Sequence, residues 1–150
     1  MNNNKDKWNV KESFTFLQVI SSEVSIIDNT ELWDQDNIID SFVGNVNIEN
    51  LQLHYGYSTK SFFIMTSSTL NLVNVSMTIM DTYSNQSAIL YADMESDIYI
   101  DNLDIVDCYS QIFILRSSTA IIKNVYMEII KATFQLMRVE KAINTHFENW

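Results

Sequence analysis

The sequence predicts an all-β chain wound into a right-handed parallel β-helix, a solenoid of about six coils of roughly 22 residues. Three observations carry that expectation. Apolar residues alternate with polar ones over short stretches, which is the period of a strand. The alternation returns at intervals, with an Asn, or once an Asp, at the same place in each copy. No window sustains the three-to-four spacing of an amphipathic helix.

The copies fall into register when each is written as apolar, any, apolar, any, Asn, two residues, apolar. Val46, Ile48, Asn50 and Leu53 form one copy, and Leu70, Leu72, Asn74 and Met77 the next. Ile98, Ile100, Asn102 and Ile105 follow, then Ala120, Ile122, Asn124 and Met127. An earlier copy reads Val24, Ile26 and Asp28, with Asp in place of Asn, and a degraded last copy reads Ala142, Asn144 and Phe147. The positions Asp28, Asn50, Asn74, Asn102, Asn124 and Asn144 are separated by 22, 24, 28, 22 and 20 residues. A small or polar pair precedes each copy and suits a turn: Ser21–Ser22, Ser67–Ser68, Glu95–Ser96 and Ser117–Ser118, with Gly44 in that place once. A second apolar segment follows, at residues 62–65, 88–91, 112–115 and 134–137, with residues 14–19 as its counterpart at the start. Each unit is therefore strand, turn, strand, turn. A unit of this size cannot bury its apolar side alone, so the copies must stack, strand on equivalent strand. Residues 1–13 read as a polar N-terminal segment and 14–150 as the repeats, expected to belong to a longer solenoid.

Composition narrows the function. Nineteen acidic residues against nine basic ones give a net charge of −10, which repels phosphate backbones and argues against nucleic acid as a partner. With two Gly and no Pro, the turns fall to Asn, Asp and Ser. Cys108 is alone, so neither an internal disulfide nor a thiolate metal cluster is expected. No apolar run has the length of a spanning helix, so this segment is not expected to insert into a membrane. The compartment stays open; an extracellular or cell-surface place follows if the chain belongs to a larger secreted protein.

The repeat resembles the motif of the pectin-lyase-like family of right-handed parallel β-helices, over about residues 14–147. The resemblance implies an inward ladder of amides, each bonded to the turn backbone and to its neighbour, at Asn50, Asn74, Asn102 and Asn124. The richness in Asn, Ile, Ser and Tyr is also similar to repeat regions of large protist surface proteins. The competing frame is a leucine-rich repeat, which Ile100, Leu103, Ile105 and Cys108 fit. Against it, the last position is Gly56, Met80 and Ile130 in other copies, and the intervening segments alternate like strands.

The family's hydrolases present an Asp pair with Gly-His-Gly and Arg-x-Lys segments, and its lyases an Arg-x-Pro-x-x-Arg segment with clustered Asp ligands for calcium. None of these segments occurs here, and His54 and His146 stand about four coils apart. No catalytic residue, cofactor or metal site is expected. The acidic run Asp93, Glu95, Asp97, Asp101, Asp104 and Asp107 reads as a solvated face, because alternate strand residues point in opposite directions. Asn74-Val75-Ser76 is a glycosylation triplet on paper, but an inward Asn would be closed to a glycan, whereas Asn85-Gln86-Ser87 lies in a loop.

Length variation points to a candidate site. Extra residues at 54–61 and 81–86 predict two loops projecting side by side, with Tyr55, Tyr57 and Tyr83 around them and Asp107 and Tyr109 on the next coil. Aromatic rings beside carboxylates suit an extended glycan, or the tyrosines simply cover the solenoid edge. The expected function is a non-catalytic repeat module with a structural or adhesive role in a larger protein. The alternative is a carbohydrate-binding or degenerate polysaccharide lyase or hydrolase domain. Partners would be an extended glycan or another protein. Residues 1–115 hold sixteen acids and four bases, and residues 116–150 three acids and five bases, so end-to-end self-association is also expected.

Overall fold

Strands form where the sequence alternates, and they stack as the repeat requires. The structure, a computed structural model, describes residues 15–26, 30–33, 37–58, 60–82, 86–131, 135–141 and 144–149. The polar segment 1–13 and the ladder position Asp28 lie outside the described residues. In chain order the strands are β1 (Thr15–Ile20), β2 (Glu23–Ile26), β3 (Thr30–Trp33), β4 (Asn37–Phe42), β5 (Asn45–Glu49), β6 (Leu51–Ser58) and β7 (Phe63–Thr66). They continue as β8 (Thr69–Thr82), β9 (Ala88–Asp93), β10 (Asp97–Cys108), β11 (Gln111–Arg116), β12 (Thr119–Ile130), β13 (Met137–Glu140) and β14 (Asn144–Glu148).

Every pairing between them is parallel and joins a strand to its equivalent one coil on. One sheet runs β1-β4-β7-β9-β11-β13 and the other β14-β12-β10-β8-β5-β2, with β6 pairing both β3 and β8. There is no helix among the described residues, so the leucine-rich frame fails. The result is a β-solenoid of about five turns of about 24 residues, where the repeat predicts about six of roughly 22. The longer period reflects the wide step from Asn74 to Asn102 and a last ladder residue that lies further on than the motif suggests.

Ile48, Leu72, Ile100 and Ile122 pair in sequence across β5, β8, β10 and β12, and all are buried. Beside them run Val46, Leu70, Ile98 and Ala120, and beyond the Asn bend Leu53, Met77 and Ile105. The first sheet supplies the facing wall with Ile39, Phe63, Leu90 and Phe113. Gly56 sits where a Cβ would lie 2.5 Å from Met80 and 2.6 Å from Phe62, so a larger residue would have to displace both side chains.

The ladder exists but faces outward. Asn50, Asn74, Asn102 and Asn124 have φ of 57°, 54°, 59° and 51°, the left-handed region that Asn tolerates through local hydrogen bonding. A residue in that conformation breaks the alternation. The side chains of Leu51, Val75, Leu103 and Val125, one position later, point into the core instead, and the amides stay half-buried or exposed. Asn74 Nδ2 donates to Asn50 Oδ1 at 3.1 Å, and Asn102 Nδ2 to Asn74 Oδ1 at 2.8 Å. Asn124 turns aside and donates to Asp101 Oδ1 at 2.7 Å. The last rung is Asn149, with φ 56° and Nδ2 donating to Asn124 Oδ1 at 2.8 Å. Asn144 is not in the ladder; it pairs with Thr119 at the start of the strand. With Asn74 exposed, burial no longer closes the Asn74-Val75-Ser76 triplet to a glycan, although both amide atoms of Asn74 serve the ladder.

A second column of corners lies between the sheets. Ser21, Val43, Ser67, Ser117 and Lys141 have positive φ, and the residues that follow the first four, Ser22, Gly44, Ser68 and Ser118, complete the turn. The hydroxyls of Ser22, Ser68 and Ser118 donate to the carbonyl two residues back at 2.8, 2.8 and 2.6 Å. Ser96 reaches one residue further, to Asp93 O at 2.6 Å, because both Met94 and Glu95 have positive φ at that corner.

Ile100→Ala, in the middle of the inward column, should cost about 2–5 kcal/mol in urea unfolding. Asn102→Ala should cost about 1–3 kcal/mol from the left-handed backbone and the lost bond to Asn74, with Asn102→Gly recovering the backbone part. Asn74→Ala, which removes two ladder bonds, should cost more than Asn149→Ala, which removes one. Equal losses at Asn74 and Asn149 would show that the ladder bonds contribute nothing.

Candidate functional site

The chain leaves the Asn corner, runs along a second limb and then turns again. In the two central coils this turn is marked by Ile79 and Asp107, with φ of 57° and 55°. Of the extra residues, 54–58 lengthen β6 and 81–82 lengthen β8, while residues 59 and 83–85 of the two expected loops lie outside the described residues. Beyond this turn Gly56, Met80 and Cys108 point inward and are buried. The residues that follow them point outward.

Those outward residues make one column. Tyr57 pairs with Asp81, and Asp81 forms a parallel bridge with Tyr109. Lys131 completes it, its Nζ 5.3 Å from the centre of the Tyr109 ring, a distance at which a cation is attracted to the ring face. Tyr57 is 60% exposed and Tyr109 42%. Asp81 is half-buried, and the loss of water around it pushes its carboxyl above the usual carboxylate range.

Of the residues expected from sequence, Tyr57 and Tyr109 share this column. Asp107 stands half-buried at the turn two residues before Tyr109. Tyr55 lies in β6, where only its backbone is described, and Tyr83 lies outside the described residues. Sequence reasoning missed Asp81 and Lys131. The signal was present, because Tyr57, Asp81, Tyr109 and Lys131 each fall seven residues after a ladder Asn.

Two other surfaces carry polar side chains. On the outer face of the first sheet, Tyr91 OH donates to Asp93 at 2.9 Å and receives a bond from Arg116 at 3.2 Å. Arg116 also pairs with Glu140 at 3.0 Å, and Arg138 joins the same carboxylate. Arg116 and Arg138 thus tie three coils together. On the outer face of the other sheet, Asn47, Asn71, Tyr99 and Ile121 line a shallow, open depression with Thr69, Asp97 and Thr119 at its side. The acidic run is spread around one coil, and no three acidic, His or Cys residues among those described are placed to share a metal ion.

No family model, curated protein or solved structure matches this chain.

Cys108 lies at the inner wall behind this column. Burial first, then the carboxylates of Asp107 and Asp81, push its thiol up to about 12, against a backbone hydrogen bond that pulls the other way. The folded chain therefore holds this proton more tightly than the unfolded one. The stability that follows is full below the ordinary thiol value of 9.0 and is lost as pH rises through about 12. At neutral pH a thiol-reactive dye should fail to label the native chain and should label it promptly in denaturant. Fast native labelling would show that the wall behind the column opens.

Proposed function

We propose that the chain is a non-catalytic β-helix repeat module of the pectin-lyase-like kind, with a structural or adhesive role in a larger protein. The observation that carries this reading is where the polar groups are used. The Asn74 and Asn102 amides and the Arg116–Glu140 pair bond to the neighbouring member of the same column, and the corner serines bond within their own turn. What faces solvent is a set of rows repeated coil after coil, a surface for contact along the solenoid axis. Incubation with a panel of polysaccharides, read for new reducing ends and for unsaturated products, tests it. No product is expected, and sustained turnover would overturn the reading.

A second reading, carbohydrate binding, is favoured by the column of Tyr57, Asp81 and Tyr109. The two rings stand two strand layers apart, about 10 Å, close to the repeat of an extended disaccharide. An aromatic face covers the apolar side of a sugar ring, and the carboxylate between the rings can accept a hydroxyl. On a glycan array, Tyr57→Ala and Tyr109→Ala should each lose most of any positive signal while the melting temperature stays unchanged. Tyr83→Ala tests whether the site extends beyond β8. Undiminished binding by the Tyr57 and Tyr109 variants would refute the glycan reading and leave the structural one standing.

A further inference from the structure

The apolar core is closed along its middle and half-open at both ends. The partly buried apolar residues packed against it are Leu17, Val24 and Ile26 at one end, and Met127, Ile130, Met137 and Phe147 at the other. Val139, whose register partner Leu115 is fully buried, is 42% exposed. On their outer sides β1 and β2 at the head, and β13 and β14 at the tail, have no paired strand among those described. Among the described residues, each end therefore offers strand edges beside apolar side chains, the combination that draws another strand onto a sheet edge.

The two ends match each other in register. The inward column that begins at Leu17 ends at Met137, and the one that begins at Val19 ends at Val139. Those that begin at Val24 and Ile26 end at Thr145 and Phe147. Setting the tail of one chain on the head of another continues all four columns and keeps the strands parallel. Two tails facing each other across a two-fold axis would reverse the strand direction. Charge points the same way: residues 1–59 contain nine acids and three bases, whereas residues 116–150 contain five bases and three acids.

We propose that the β13–β14 end of this chain docks head to tail on the β1–β2 end of a second copy, extending the solenoid across the junction. The contact is heterologous, so it leaves a free end at each side and grows open filaments rather than a closed dimer. It rests on the end coils and is independent of the tyrosine column.

Sedimentation velocity on the full chain over a wide concentration range tests the proposal. The expected result is a mass that rises with concentration and falls again on dilution, with added salt weakening the association. Two blocked variants decide its polarity. Val24→Lys closes the head and Val139→Lys closes the tail, both at partly exposed positions in end coils, and circular dichroism confirms the β fold of each. Each variant alone should stay monomeric, and an equimolar mixture should form a dimer and nothing larger, through the one intact head and the one intact tail. A monomeric wild-type chain at all concentrations, self-association of Val24→Lys alone, or a mixture that stays monomeric would each overturn the proposal. The wild-type series stands even where a variant fails to fold.

Discussion

A strand of four to six residues buries too little apolar surface to hold itself in water, so each coil depends on the next one, about 4.8 Å away along the axis. Parallel stacking with equivalent residues paired makes that dependence strict. A shift of one residue in any coil would turn its Ile and Leu outward and its Asp and Lys inward. The corners must therefore coincide from coil to coil, and here they do so through left-handed residues: Asn50, Asn74, Asn102, Asn124 and Asn149 at one edge, and Ser21, Val43, Ser67, Ser117 and Lys141 at another. Asn and Ser make such corners affordable because each finds a hydrogen-bond partner there, Asn along the ladder and the paired Ser within its own turn. Where an extra residue enters, as at Met94 and Glu95, it is absorbed at the corner and the strands on either side keep their register.

Much of this was legible in the sequence, because columns leave a periodic trace. The stack of Ile48, Leu72, Ile100 and Ile122 and the ladder positions 50, 74, 102 and 124 follow from spacing alone. Three features were hidden, each for a physical reason. The strand β4 was hidden because Ser41 stands at an inward position held by Val19, Met65, Ala92 and Leu115 in the other coils. The last rung was assigned to Asn144 because Thr145 occupies a place held elsewhere by Val, Leu, Ile or Ala; with Thr145 accepted as an inward residue, Phe147 and Asn149 fall into line. The outward direction of the ladder was hidden because a left-handed residue reverses the alternation, and spacing does not reveal the sign of φ. The candidate site was half legible. Tyr57 and Tyr109 were found by clustering of residue type, while Asp81 and Lys131 required the register that places all four in one column.

The polar groups inside the solenoid show how this architecture avoids the cost of burying them. Ser68, Ser96 and Ser118 are almost wholly buried, yet each hydroxyl has a carbonyl within 2.8 Å at the turn it completes. An unpartnered hydroxyl in that place would cost about 1–3 kcal/mol, and the repeat multiplies any such loss by the number of coils. A fold built from copies is therefore selected for corners that are self-satisfied. Chemistry that reaches beyond the column is pushed to the outward positions, where a substitution in one coil leaves the stacking of the others intact.

That separation explains why the outward columns vary while the inward ones do not. Seven residues after the ladder Asn the chain carries Tyr, Asp, Tyr and then Lys, and on the first sheet the series Ile64, Tyr91, Ile114 and Arg138 changes as freely. The inward series beside them stay apolar almost throughout. Each outward column is thus a line of independently chosen side chains at a fixed pitch, and neighbouring members interact because the backbone has already brought them together, as Lys131 does with Tyr109 and Arg116 with Glu140. A partner that reads such a line must itself be extended, since the chemistry changes along the axis and not around it. The same geometry therefore favours ligands or chains that lie along the solenoid.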